Sequence, residues 1–170
     1  REVAAKWAGV PVRTYLRCPR TLADIFARSA AHGDLVSMVY RDQRLTFADI
    51  RAQALALART FRADYGVAPG DRVMIAMRNL PEFTVTFWAA VSCGAIVVPV
   101  NAWWQGPELV AAVVESAPKV SIADPGGAHL VREQRGLREG HMLLVMPGEQ
   151  GGAGMVDPGG KGGRRARLDA

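Results

Sequence analysis

Metal centres, disulfide frameworks and cysteine or histidine catalysis draw on residues that this sequence nearly lacks: its 170 residues hold two cysteines and three histidines. Cys18 and Cys93 are too few and too far apart for a disulfide scaffold, and no cysteine or histidine pair has zinc-ligand spacing. His129 and Glu133 share a helical face at i,i+4, but without a third ligand they read as a solvated pair. Cys93 sits inside an apolar run and reads as a small buried side chain rather than a nucleophile. There is no Gly-x-Ser-x-Gly elbow. No apolar run reaches the roughly 18 residues that a membrane span needs. The first residues, Arg-Glu-Val-Ala-Ala-Lys-Trp, lack the basic-then-apolar layout of a secretion signal. A cytoplasmic protein without a membrane span is expected.

The charge is less informative than its sum. Of the formal +5, a net +2 falls in the last stretch, where Lys161, Arg164, Arg165 and Arg167 face Asp157 and Asp169. What remains on the body is ordinary. The Gly/Arg-rich tail is no phosphate loop: a Walker loop would need glycine where Met155 stands and serine or threonine where Gly162 stands. It also lacks the repeats and aromatics of an RNA-binding segment, so no specific nucleic acid is expected.

What is present is a body with 49% hydrophobic residues and regular punctuation. Thr21 caps a short helix that places Leu22, Ile25 and Phe26 on one face and ends before Gly33. Residues 35–40 and 43–46 flank Arg41-Asp42 as a tight hairpin. Thr46, with Asp49 three positions on, starts the longest helix, which runs to about Tyr65 with Ile50, Leu55, Leu57, Ala58 and Phe61 as its apolar stripe. Ala68-Pro69-Gly70-Asp71 turns the chain into a strand over 72–77. Pro81 opens a helix carrying Phe83, Val85, Phe87, Trp88 and Val91, and Gly94 ends it. The strand over 95–100 is apolar on both faces, as a parallel strand between helices is. A helix over 106–115, a strand over 119–123, a helix over 129–137 and a strand over 142–146 repeat the unit. Short connections between alternating elements imply right-handed crossovers and an α/β fold with a mainly parallel sheet and flanking helices. Residues 1–20 read as a leader, 21–146 as the folded body and 147–170 as a disordered Gly/Arg-rich tail. Trp103-Trp104 follows a buried strand, where α/β sheets bind ligands. The favoured reading is that one ring packs on the sheet and the other caps the next helix.

Leu45-Thr46-Phe47-Ala48-Asp49-Ile50 is similar to the first core motif, Leu-Thr-Tyr-x-Glu-Leu, of the adenylate-forming acyl-CoA synthetases, also called AMP-binding or AMP-dependent synthetases and ligases. Gly66-Val67-Ala68-Pro69-Gly70-Asp71-Arg72-Val73 and Asn79-Leu80-Pro81-Glu82-Phe83 resemble the segment that follows in that family, and Cys93-Gly94-Ala95-Ile96-Val97-Val98-Pro99-Val100-Asn101 its second core motif. Asn101-Ala102-Trp103-Trp104 with Glu108-Leu109 leans toward the fatty acyl-CoA synthetase branch. The resemblance covers about residues 21–125 and implies part of an N-terminal AMP-binding domain. It also implies a two-step reaction: a carboxylic acid and ATP give an acyl-adenylate, from which CoA displaces AMP, with ATP, magnesium and CoA as the family's cofactors. The family's phosphate loop, magnesium-holding Glu, ribose-binding Asp and C-terminal Lys have no matching positions here. No catalytic, cofactor-binding or metal residue is therefore assigned, and no cofactor is expected on this chain. Gly94 and Pro99, which do match, have structural roles. The expectation is the N-terminal portion of an ATP-dependent acid–CoA ligase, inactive by itself. The alternative is a non-catalytic fragment that docks through exposed apolar surface onto the remainder of the enzyme or a second copy.

Overall fold

The computed structural model describes residues 2–7, 9–15, 17–104, 106–124, 142–145 and 154–156. The region expected to be a leader opens with an antiparallel hairpin, β1 (Glu2–Trp7) and β2 (Val10–Tyr15). A second hairpin, β3 (Val36–Tyr40) and β4 (Gln43–Thr46), turns through Arg41 and Asp42, with Arg41 at φ 51°. Between the hairpins lie α1 (Leu22–Arg28) and a 3-10 turn over Ser29–His32.

Local chemistry sets the helix starts. Thr46 caps α2 (Phe47–Ala63): its hydroxyl accepts from the Asp49 N–H at 3.0 Å, and Asp49 accepts the Thr46 N–H at 2.8 Å. Thr21 and Asp24 build the same reciprocal box on α1. In α2 the buried residues are Ile50, Ala54, Leu57, Ala58 and Phe61. Ala54 rather than Leu55 completes the stripe, because the fourth residue after Ile50 returns to its face and the fifth overshoots it. Leu55 is 38% exposed. In α1 only Phe26 is buried, stacked on Trp88 at 4.9 Å, while Leu22 and Ile25 face outward. A helix of seven residues covers too little of the body to bury a full stripe.

The main sheet has five strands in the order β6-β5-β7-β8-β9. They are β5 (Arg72–Ala76), β6 (Ile96–Pro99), β7 (Val120–Ala123), β8 (Met142–Val145) and β9 (Gly154–Val156). The first four in space are mutually parallel, and β9 lies antiparallel on β8. The tail, expected to hold no element, thus contributes an edge strand at Gly154–Val156, because backbone pairing needs no side chain to bury. The helix expected over 129–137 lies outside the described residues. β6, expected to lie buried between helices, sits at the sheet edge with Ile96 53% exposed.

Two helices complete the crossovers: α3 (Pro81–Ser92) joins β5 to β6, and α4 (Gly106–Ser116) joins β6 to β7. They cover opposite faces. Val73, Ile75 and Met77 of the β5 strand and its exit pack with Val120 and Ile122 under α2 and α3, through Phe61, Val85 and Ala89. Met74, Ala76 and Ala123 meet Leu109 and Val113 of α4. The alternation follows from the two-residue period of a strand.

The amino edge of the sheet is tied by a charged knot. Lys119 Nζ donates to the Gly66 carbonyl at 2.5 Å and to Asp71 Oδ2 at 2.9 Å, and Asp71 also accepts the Ala68 N–H at 2.8 Å. That amide, and then Lys119, hold the Asp71 carboxyl below its ordinary value of 3.8. Asp49 and Asp24 are lowered by their threonine caps. A carboxyl depressed in the folded state binds fewer protons there than when unfolded. Its stabilisation is complete above the ordinary aspartate value and is lost as pH falls through the folded one. The urea midpoint is therefore expected to drop as pH is lowered below about 4, and Asp71→Asn is expected to make that drop shallower. A midpoint independent of pH across this window would contradict the knot.

Candidate functional site at the carboxyl edge of the sheet

Open α/β sheets bind ligands beyond the carboxyl ends of their strands, where successive connections leave in opposite directions. Here β5 sends its connection through α3 to β6 on one side, while β7 lies on the other. The crevice is therefore at the ends of β5 and β7. It is closed by an ion pair: Arg78, just past β5, places Nε 2.7 Å from Oδ2 of Asp124, which directly follows β7. The Asp124 side chain is buried, while that of Arg78 is 60% exposed. A buried carboxylate needs such a donor, because desolvation without one is costly. Arg78→Met is expected to lower the unfolding free energy by about 1–2 kcal/mol, the value of a charged hydrogen bond discounted for the solvent around Arg78. Arg78→Lys should recover only part, since an ammonium lacks the guanidinium fork. Thermal melts of the three proteins make the comparison.

On the other side of β5, the loop after β6 is fixed by Asn101, whose side-chain oxygen accepts the Trp103 N–H at 3.0 Å and whose carbonyl accepts the Trp104 N–H at 3.1 Å. Neither ring is inserted into the sheet. Trp103 is 77% exposed and Trp104 37%, so the expectation that one of them packs on the sheet is corrected. The asparagine turn lifts the loop off the strand before α4 begins.

The other candidates lie elsewhere. Cys93 is buried under α2, its thiol donating to the Ala58 carbonyl at 3.4 Å, and burial pushes its pKa up. A thiol held protonated is a poor nucleophile. Cys18 is exposed and donates to the Tyr15 carbonyl at 3.1 Å. His32 rests against the Phe47 ring at 4.7 Å, whereas His129, Glu133 and His141 lie outside the described residues. Among the described residues no three His, Cys, Asp or Glu side chains cluster as metal ligands. The acid at the crevice, Asp124, is engaged by Arg78. These donors do not fit the magnesium site that the family resemblance implies. Arg78 and Asp124 escaped the sequence reading, although charged residues just past two predicted parallel strands were the available signal.

The family model for AMP-binding enzymes matches residues 25–151. The medium/long-chain-fatty-acid–CoA ligase FadD6 of Mycobacterium tuberculosis is 36% identical over 121 residues, covering 69% of this chain and 20% of that protein. A feruloyl-CoA synthase of an Amycolatopsis species is 35% identical over 123 residues, 72% of this chain and 24% of the enzyme. The solved N-terminal domain of FACL13 from Mycobacterium tuberculosis superposes with a TM-score of 0.63 at 30% identity, covering 68% of this chain and 31% of that domain. The chain thus spans about a fifth to a quarter of the length of these two curated relatives. With a matching family model across most of its body and a sheet of the corresponding fold, the chain belongs to the adenylate-forming AMP-binding enzyme family.

Proposed function

We propose that this chain is the N-terminal portion of an ATP-dependent acid–CoA ligase acting on a fatty acid, and that by itself it is a scaffold without adenylating activity. The observation that carries the reading is the carboxyl edge: Arg78 and Asp124 neutralise each other there. Adenylation requires donors aimed at the developing phosphoryl charge and a metal to bridge it. Neither the Arg78–Asp124 pair nor the Asn101 turn presents such a set. We assign residues 21–146 to the AMP-binding portion and place the protein in the cytoplasm. Among the described residues no helix is long and apolar enough to cross a membrane. ATP, magnesium and CoA then belong to the complete enzyme.

A partner-binding reading is favoured by one feature, the outward-facing Leu35, Val36 and Val39 around β3. On this reading the surface meets the remainder of the enzyme. Incubating the purified chain with ATP, magnesium, CoA and fatty acids of several lengths is expected to release no AMP above the blank. Turnover that scales with protein concentration would overturn the proposal.

A further inference from the structure

A cavity lies away from the carboxyl edge, among the described residues. It measures 320 Å³ and opens between the loop at Pro19, α1, the 3-10 turn, β3, the start of α2 and Trp88 of α3. This volume is at the lower end of the roughly 300–1,000 Å³ of small-molecule sites. Its lining is mostly apolar, with Ile25, Phe26, Phe47 and Trp88. The walls are braced. Phe26 stacks on Trp88 with ring planes 9° apart, and the Arg51 guanidinium lies 5.0 Å from the centre of the Phe26 ring while donating to the Phe26 carbonyl at 2.5 Å.

Arg28 is the one formally charged residue lining the cleft, and no lining residue is acidic. The acids on these helices are not among the lining residues: Asp24 accepts the Arg20 and Thr21 amides and interacts with the Arg28 charge, and Asp49 accepts from Thr46. Arg51 adds a second guanidinium behind the wall, 3.5 Å from the Ser29 hydroxyl that also lines the cleft. A mostly apolar lining with a cationic residue selects a ligand with an apolar body and an anionic head. We propose that this cleft binds a small amphipathic organic anion, a single acidic head on an aryl or short alkyl body, at a site separate from the crevice between β5 and β7.

The test uses the full chain and two probes of the same shape, 4-phenylbutyrate and the neutral alcohol 4-phenylbutanol, titrated while the indole N–H signals are followed by NMR. The Trp88 signal is assigned with Trp88→Phe. A saturable shift of Trp88 by the acid is expected, with the alcohol binding about fivefold more weakly, the upper end for a solvent-exposed charge pair. Ile25 is 46% exposed, so Ile25→Glu and Ile25→Gln leave the core intact. The glutamate should weaken the acid about fivefold relative to the glutamine, and Arg28→Gln should weaken it in the same direction. No saturable Trp88 shift, equal binding of acid and alcohol, or Ile25→Glu matching Ile25→Gln would each overturn the proposal. The probe comparison on the unaltered chain keeps it testable even if a variant misfolds.

Discussion

Phe61→Ala is expected to remove about 3–5 kcal/mol of stability, the cost of truncating a fully enclosed aromatic side chain in a core that cannot collapse around the void. Phe61 is fully buried and belongs to the larger core cluster, with Leu57 and Tyr65 beside it and Val73, Ile75 and Ile122 of the sheet across from it. Its backbone matters too: the Phe61 carbonyl accepts the Val67 N–H at 2.8 Å, closing the turn through Gly66 that leads to β5. Losing the ring therefore loosens the junction between the longest helix and the central strand. Because domains are held by about 5–15 kcal/mol in total, the variant should unfold at much lower urea and populate unfolded chain on mild heating. Leu55→Ala, on the outer side of the same helix, is expected to cost less than about 1 kcal/mol. Urea midpoints for the two variants decide the matter. Equal midpoints would mean that α2 is not packed through the Phe61 face.

The legible parts of this fold are those written within a few residues of sequence. The Thr46 and Thr21 boxes need only a hydroxyl and a carboxylate three positions apart, and both form as read. Pro81 at the start of α3 and Gly94 after its end are likewise local signals. The strand and helix alternation then specified a parallel sheet, which β5, β6, β7 and β8 form.

Long-range facts were not legible. Ile-Val-Val-Pro reads the same in a central strand as at an edge, and only the strand order reveals that β6 is outermost. The β9 pairing depends on backbone groups, which leave no compositional trace. The Leu55 error was one of phase: two adjacent positions in an Ala/Leu-rich helix differ by about 100° of rotation, and both were apolar. The Arg78–Asp124 pair is separated by 46 positions in sequence, so its members are adjacent only once two strands lie side by side. The family motifs nevertheless marked the correct region, because they coincide with these local devices. The Thr46 box lies in the first motif and Gly94 in the second, so what the motifs mark in this chain is the scaffold.

Gly94 gives the sharpest test of that view, and Gly94→Val is expected to cost about 2–4 kcal/mol. Gly94 has φ +75°, a region that β-branched residues enter only under strain, at roughly 1–3 kcal/mol. Space adds to the cost. A Cβ at this position would stand 3.2 Å from Pro69 Cβ and 3.4 Å from its Cα and Cγ, so the turn before β5 would have to shift, for roughly 1 kcal/mol more. That turn cannot move freely, since the Gly70 N–H donates to the Gly94 carbonyl at 2.9 Å and the Ile96 N–H to the Asp71 carbonyl at 2.8 Å. The two contributions separate in a double-mutant cycle. Gly94→Ala should cost less in a Pro69→Gly background than alone, because the contacts with Pro69 Cβ and Cγ are gone and mainly the backbone strain remains. If Gly94→Ala costs the same in both backgrounds, Pro69 does not crowd the position. If Gly94→Val is as stable as the parent chain, the residue does not hold a left-handed turn. The tie between Gly70 and Gly94 couples the entry of β5 to the entry of β6, so a shifted turn also displaces the Asn101 loop at the far end of β6. Gly94→Val should therefore alter the fluorescence of Trp103 and Trp104, past the four residues of β6 at about 3.3 Å each, in native buffer before any unfolding begins.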